Sequence, residues 1–202
     1  NIRNDINVIQ AHATMLADEA DGHEAHTDVI KRKSREILSL STAARDVDAL
    51  EAGADPGPVD LGDLARDYVD LARDRYPNAT IGYDGPDSCD VATGTVVRSV
   101  LDNLVENAVT HHDGDPEIAI ELARYGDDTV ELRVRDDGPG IPDDQFEVLF
   151  QDGEDRSHHG SGLGLWLVKW FADRHDGALE LEDNEPRGSV VCLELPVAES
   201  GA

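Results

Sequence analysis

Three short segments in the second half of the chain carry residue types that could hold a nucleotide. They cover residues 103–107 (Asn-Leu-Val-Glu-Asn), 136–140 (Asp-Asp-Gly-Pro-Gly) and 160–164 (Gly-Ser-Gly-Leu-Gly). Each segment alone is a weak signal, because short glycine-rich patterns arise by chance. In this order they offer amide ligands for a metal, an acid beside a tight turn, and a loop without bulky side chains. Together they predict a nucleotide pocket.

The first segment predicts a metal site. Asn103 and Asn107 are four residues apart on a predicted helix and therefore share a face. Neutral amide oxygens suit Mg²⁺ that nucleotide phosphates and waters hold jointly. The alternative is an exposed polar pair, and the neighbouring segments favour the metal site. His111 and His112 end this helix, where one of them contacts nucleotide or both are ordinary helix-end residues.

The second segment follows a predicted strand. A carboxylate at this strand end, that of Asp136, can accept a hydrogen bond from an adenine amino group. Gly138 and Gly140 would let the backbone approach the base because they carry no β-carbon. A tight turn alone would also use Asp, Gly and Pro.

The third segment opens a helix, so its backbone N–H groups predict an anion site for phosphate. The residues concerned are Gly160, Gly162, Leu163 and Gly164. No Lys-Ser/Thr follows, which excludes a P-loop, and the late position argues against a dinucleotide-binding fold. The polar stretch 143–159 is the expected lid.

Regular elements are predicted on both sides of the Pro- and Gly-rich stretch 53–57, which we interpret as a linker. Residues 1–52 predict a helical hairpin whose apolar stripes require a second copy, giving a homodimer with a four-helix bundle. Residues 58–198 predict a two-layer α/β sandwich, with helices on one face of a mixed sheet and the other face exposed to solvent. The fold class is therefore α+β. We expect helices over 61–76, 94–111 and 162–174, and strands over 79–83, 117–122, 130–134, 179–182 and 189–195.

The composition limits the classes of partner. The chain of 202 residues has 44 acidic and 17 basic residues, a net charge of −27. This argues against a nucleic-acid surface and favours a solvating surface suited to high salt over an acidic patch for a basic partner. No apolar run is long enough to span a bilayer. Isolated Cys89 and Cys192 suit buried positions in a reducing cytoplasm. We expect this segment to reside there without membrane contact of its own, whether the full-length protein is soluble or membrane-tethered.

The three segments resemble the N, G1 and G2 boxes of the GHKL (Bergerat) ATP-binding fold, which sensor histidine kinases share with DNA gyrase, mismatch-repair ATPases and a heat-shock chaperone. Phe146 and Phe150 resemble the F box of the kinases, and Arg156 in the lid could meet a phosphate or be an ordinary surface residue. The resemblance implies ATP and Mg²⁺ as cofactors. It also implies that Asn107 is the main Mg²⁺ ligand, with Asn103 beside it.

The same resemblance assigns the remaining pocket residues and favours the kinase branch. It implies that Asp136 binds the adenine amino group and that Gly162 and Gly164 border the triphosphate. Hydrolysing members carry a Glu four residues before the metal-binding Asn, where it activates water. Here that position is Asn103, and an amide cannot act as a general base.

The first nine residues are similar to a histidine kinase H box, of the haloarchaeal style. The pattern places the phosphoacceptor His immediately before Asn1, so the chain is expected to be truncated there. Asn1 stands where many members carry an acid that helps deprotonate the imidazole. Asn4 matches the polar residue that can position water for phosphatase action.

The resemblance therefore implies the catalytic core of a two-component sensor histidine kinase. It would transfer the γ-phosphoryl group of Mg·ATP to a His and then to an Asp in the receiver domain of a response regulator. The chain as given is expected to bind ATP without autophosphorylating. Two alternatives stay open: a GHKL-type ATPase, and a non-enzymatic dimeric signalling scaffold with a vestigial pocket.

Overall fold

The computed structural model describes residues 57–126, 128–142 and 163–198, together with six isolated helical residues nearer the N-terminus. Those six are Ile9, Ala13, Thr27, Val29, Ile30 and Ser34. The predicted hairpin and its dimer otherwise lie outside the described residues and stay predictions. Over the part of the chain that the structure describes, no helix is long and apolar enough to cross a membrane.

The described ranges contain three α-helices and seven strands. In chain order they are β1 (Val59–Asp60), α1 (Leu61–Arg75), β2 (Thr80–Asp84), β3 (Asp90–Val91), a 3₁₀ turn (Gly94–Val96), α2 (Val97–His111), β4 (Glu117–Tyr125), β5 (Thr129–Asp136), α3 (Leu163–Arg174), β6 (Ala178–Asp183) and β7 (Ser189–Pro196). Each helix and strand predicted within residues 58–198 is present, with ends that differ from the predicted ones by up to three residues. The first turn of the predicted helix over 94–111 is 3₁₀ rather than α.

Five strands form one mixed sheet in the order β2-β4-β5-β7-β6. Strands β2 and β4 run parallel, and the other neighbours run antiparallel. Strands β1 and β3 form a separate antiparallel pair that the sequence did not predict, and Val197 bridges to Val91 at its edge. Two-residue strands give no periodic signal, which explains why sequence reasoning missed them.

The three helices cover one face of the sheet. Strand β4 shows the alternation: Ile118, Ile120 and Leu122 are buried, whereas the residues between them are partly exposed. In β5 and β7 the side chains that join the core also lie at every second position, so one continuous core lies between the sheet and the helices. They are Val130, Leu132, Val134, Val191, Leu193 and Leu195. The predicted two-layer arrangement is confirmed.

The opposite face of the sheet is charged, but it is not uniformly wet as predicted. Ion pairs join Arg133 to Glu131 and Arg135 to Glu121 across this face. At its centre, Glu131 is 8% exposed and Cys192 is 2% exposed. Burial raises the pKa of the Cys192 thiol to about 11, which fits the expected inert, buried cysteine.

Helix α1 begins at a side-chain cap that also bonds to the chain just before β3. The Oδ1 atom of Asp60 accepts a hydrogen bond from the N–H of Asp63 at 3.1 Å, which caps the helix. The same oxygen accepts the N–H of Cys89 at 3.0 Å. One carboxylate therefore sets both the start of α1 and its docking on the chain before β3.

Candidate functional site

The structure brings Asn103, Asn107 and Gly164 together where α2 packs on α3. A β-carbon added at Gly164 would lie 2.9 Å from Nδ2 of Asn107 and 3.4 Å from Oδ1 of Asn103. Both asparagines are half-buried, and Nδ2 of Asn103 donates to the carbonyl of Ser99 at 2.7 Å. A side chain at position 164 would therefore displace the Asn107 amide. The first and third segments thus converge on one spot.

Asp136 ends β5, and its carboxylate is already held on both oxygens. Oδ1 accepts the N–H of Gly138 at 2.8 Å, and Oδ2 accepts the hydroxyl of Ser189 at 2.5 Å. A β-carbon at Gly138 would lie 2.8 Å from Oδ1 of Asp136, and Gly140 has φ +87°. Each carboxylate oxygen has two acceptor positions, so a further donor can still be bound.

A cavity of about 280 Å³ lies between the end of β5 and the C-terminal half of α2. Its wall is mainly apolar, with a few polar groups from Asn107, His111, Asp136 and Ser189. Such a lining suits a flat apolar ring whose edge carries one or two hydrogen-bonding groups. The lining residues are Leu104, Asn107, Ala108, His111, Val134, Asp136, Pro139, Gly140, Ile141, Pro142, Leu165, Ser189 and Val191.

The two histidines at the end of α2 differ in their surroundings. His111 lines the cavity. His112 instead accepts the N–H of Gly114 on Nδ1 at 2.9 Å, and its Nε2 lies 3.3 Å from Oδ1 of Asp137. When neutral, the His112 ring therefore carries its proton on Nε2 and ties the helix end to the turn after β5. Of the two, only His111 is placed to meet a ligand.

Sequence reasoning missed the turn between β6 and β7. Asn184 donates its side-chain N–H to the carbonyl of Asp136 at 2.7 Å, and Ser189 binds the carboxylate of the same residue. Gly188 has φ +115° and touches the Asp136 carbonyl so closely that a β-carbon would lie 1.9 Å from that oxygen. No local pattern connects residues about 50 positions apart. The only available signal was the Pro-Arg-Gly turn that ends at the start of a strand.

The metal-binding capacity of the site depends on amide oxygens. No group of three or more His, Cys, Asp or Glu within the described ranges could hold a metal ion. Asn103 and Asn107 place neutral oxygen donors beside a glycine, and this donor set fits Mg²⁺ only if phosphates and waters complete its coordination. The residues present therefore fit a metal that arrives with its nucleotide.

Several predicted site residues lie outside the described residues. These are Asn1, Asn4, Phe146, Phe150, Arg156, Gly160 and Gly162, and with them the whole of the predicted lid, residues 143–159. Leu163 is described as the first residue of α3. The roles predicted for these residues stay predictions.

Known proteins with similar sequences and structures agree on one family. Residues 93–199 match the family described as histidine kinase-, DNA gyrase B- and HSP90-like ATPases. The sensor-type histidine kinase PrrB of Mycobacterium tuberculosis is 32% identical over 194 residues, which covers 93% of this chain and 43% of PrrB. The chain thus spans less than half of the length of this relative.

Two solved structures resemble this one. The ATP-binding domain of PrrB from Mycobacterium tuberculosis has a TM-score of 0.57 at 28% identity, over 72% of this chain and 99% of that domain. The histidine kinase ThkA, solved in complex with the response regulator TrrA, has a TM-score of 0.68 at 24% identity, over 98% of this chain and 59% of ThkA. The second likeness shows the fold alone. Because the family model matches more than half of the residues of this chain, the chain belongs to the histidine kinase-, DNA gyrase B- and HSP90-like ATPase family.

Proposed function

We propose that this chain is the catalytic core of a two-component sensor histidine kinase that binds Mg·ATP. Family membership and the sensor kinases among its relatives support the kinase assignment. The observation that carries it is the site itself: the Asp136 carboxylate and the Asn107 amide line one apolar cavity. Gly164 and Asn103 lie next to that amide.

The cavity suits adenine because of what surrounds Asp136. The adenine ring would occupy the apolar cavity, and its 6-amino group would donate to the carboxylate that Ser189 and Gly138 hold in place. Guanine carries an oxygen acceptor at position 6. An ionised carboxylate is also only an acceptor, so the two groups could not form a hydrogen bond. The site therefore supports adenine over guanine nucleotides.

The phosphates would extend toward Gly164 and the amides of α2. Asn107 and Asn103 would hold Mg²⁺, which neutralises phosphate charge and aligns the γ-phosphoryl group when bound. The backbone N–H groups at the start of α3 add a positive dipole end for the phosphates. We include Gly160, Gly162 and Leu163 in this phosphate site, and Arg156 as a further cation that reaches it.

A kinase role is preferred to hydrolysis because of the side chain at position 103. Asn103 offers an amide that is bonded to the Ser99 carbonyl, and an amide cannot remove a proton from water. Glu106, the acid adjacent to Asn107, does not line the cavity. The site would therefore hold ATP for a separate acceptor, and catalysis would rest on alignment and charge neutralisation.

The acceptor would be a histidine immediately before Asn1, in a hairpin formed by residues 1–52 that pairs with a second copy. Its imidazole nitrogen would bond to the γ-phosphorus while the bond to the bridging oxygen of ADP breaks. The phosphoryl group would then pass to an Asp carboxylate of a response regulator. Asn4 would position the water that removes the phosphoryl group from that regulator. The net charge of −27 supports a protein that works at high salt.

The test adds a single histidine before Asn1 and supplies ATP labelled on the γ-phosphate at high KCl with Mg²⁺. We expect acid-labile, alkali-stable label on this variant, and none on the original chain or on the variant that also carries Asp136→Asn. Steady release of inorganic phosphate without protein labelling would favour the ATPase alternative. Absence of ATP binding would favour the scaffold.

A further inference from the structure

The turn between β6 and β7, with the first residue of β7, contacts both the main chain and the side chain of Asp136. Nδ2 of Asn184 donates to the Asp136 carbonyl oxygen at 2.7 Å, and the N–H of Asn184 donates to the Gly188 carbonyl at 3.0 Å. Gly188 lies against the same Asp136 carbonyl group. Ser189, the next residue, binds the carboxylate. One short segment thus contacts both ends of a residue about 50 positions earlier.

The main-chain contact holds Asp136 at the point where β5 ends. Asp136 is the last residue of β5, and it has no register partner on β7, because the pairing of β5 with β7 ends at Arg135 and Val190. Asn184 thus supplies a side-chain donor to the Asp136 carbonyl at the point where this register ends. A fixed carbonyl fixes the following peptide plane, since backbone rotation is limited to two dihedrals per residue. Gly138, which binds Oδ1 of Asp136, lies on the far side of that peptide.

We infer that Asn184 is a positioning residue for purine recognition: by holding the main chain of Asp136, it directs that carboxylate to the 6-amino group of the nucleotide. This inference rests on the proposed function, because it assumes that the cavity takes adenine. Asn184 does not line the cavity and would not touch the base. Its effect on binding must therefore pass through Asp136.

The inference differs from a purely structural role in one measurable respect. If Asn184 acts through the carboxylate, its loss should weaken the binding only of ligands with a 6-amino group. If it merely stabilises the turn, every nucleotide should bind less well. Purine riboside triphosphate has the ring, ribose and phosphates of ATP but carries hydrogen at position 6, so it separates these two cases.

The experiment measures the dissociation constants of ATP and purine riboside triphosphate by calorimetry, with Mg²⁺ and high KCl, on the 202-residue chain. We expect Asn184→Ala to weaken ATP binding about fivefold, in keeping with the loss of one hydrogen bond. Binding of purine riboside triphosphate should change less than about twofold. Asn184→Asp keeps the side-chain shape but removes the donor, and should match Asn184→Ala.

Controls make each outcome decisive. Asn78→Ala, at an exposed asparagine in the turn before β2, should leave both ligands unaffected. Asn184→Ser, a milder change, replaces Asn184→Ala if the latter does not fold. Equal weakening of both ligands, or no weakening of either, overturns the inference and leaves the proposed function intact. If the unaltered chain binds the two ligands equally, adenine recognition by Asp136 fails, and the inference fails with it.

Discussion

Replacing Gly188 with alanine should disrupt the contact between the β6–β7 turn and the end of β5. A β-carbon there would lie 1.9 Å from the Asp136 carbonyl oxygen, 2.7 Å from its carbonyl carbon and 2.9 Å from the Cα of Asp137. All three are backbone atoms, so no side chain can rotate to make room. The two segments must separate by about 1 Å, which a close-packed structure resists.

Three terms set the size of the effect. A non-glycine residue at φ +115° is strained by about 1–2 kcal/mol. Separation would also break the hydrogen bonds from Asn184 and Ser189 to Asp136, each with a net contribution of about 1 kcal/mol. We therefore expect Gly188→Ala to lower the free energy of unfolding by about 3–4 kcal/mol.

Urea unfolding followed by tryptophan fluorescence measures this change. Trp166 and Trp170 are the two tryptophans of the chain and both lie on α3, so the signal reports on the nucleotide-binding domain. Two matched glycines separate the causes. Gly126 has φ +65° but open space around a β-carbon, and Gly82 has neither strain nor contact.

The three variants should form a graded series. We expect Gly82→Ala to stay within about 0.5 kcal/mol of the unaltered chain and Gly126→Ala to lose about 1 kcal/mol from strain alone. Gly188→Ala should lose at least about 2 kcal/mol more than Gly126→Ala. If Gly188→Ala and Gly126→Ala are equally stable, the close contact with Asp136 does not exist, and the account of how Asp136 is held is wrong.

Three further predictions concern the site and its support. Ser189→Ala removes the hydroxyl that donates to Asp136, so calorimetry should show about fivefold weaker ATP binding; unchanged affinity would contradict this. Gly164→Ala places a β-carbon 2.9 Å from Nδ2 of Asn107 and should disturb Mg²⁺ binding there. Adding Mg²⁺ to an EDTA-treated sample should therefore raise the ATP affinity about tenfold less than in the unaltered chain. An equal rise in both proteins would contradict the assignment of Asn107 as a Mg²⁺ ligand. Burial lowers the pKa of His175 below its ordinary 6.5, so the unfolded state binds more protons just below pH 6.5 and stability is lost as the pH falls through that value. Urea unfolding at several pH values should show this loss in the unaltered chain and less of it in His175→Gln, and parallel pH profiles would refute it.

Much of the α/β domain could be predicted because its signals are local. Helix α2 carries Val97, Leu101 and Leu104 at helical spacing, and β5 alternates apolar and polar residues before Asp136. The end of β4 was placed too early, at Leu122 rather than Tyr125. Its last three residues are all exposed, so they lack alternation, and they stay in the strand because their backbone pairs with β5.

The parts that the sequence did not predict depend on contacts between distant residues. Asn184 and Ser189 look like turn and strand residues until the sheet brings β7 beside β5. The burial of Glu131 on the charged face depends likewise on which strands are neighbours. By contrast, the sequence assigned Asn107 and Gly164 to one pocket from the order of their motifs, and the two residues lie side by side in the structure.

The central claim is that the cavity beside Asp136 binds Mg·ATP through the adenine amino group. Calorimetric titration of the chain with ATP, at millimolar Mg²⁺ and high KCl, tests it most directly when repeated with Asp136→Asn. We expect saturable binding that the substitution weakens at least about tenfold, since a hydrogen bond to a charged acceptor is lost. An unaltered chain that does not bind ATP, or an Asp136→Asn chain that binds it equally well, would contradict the claim.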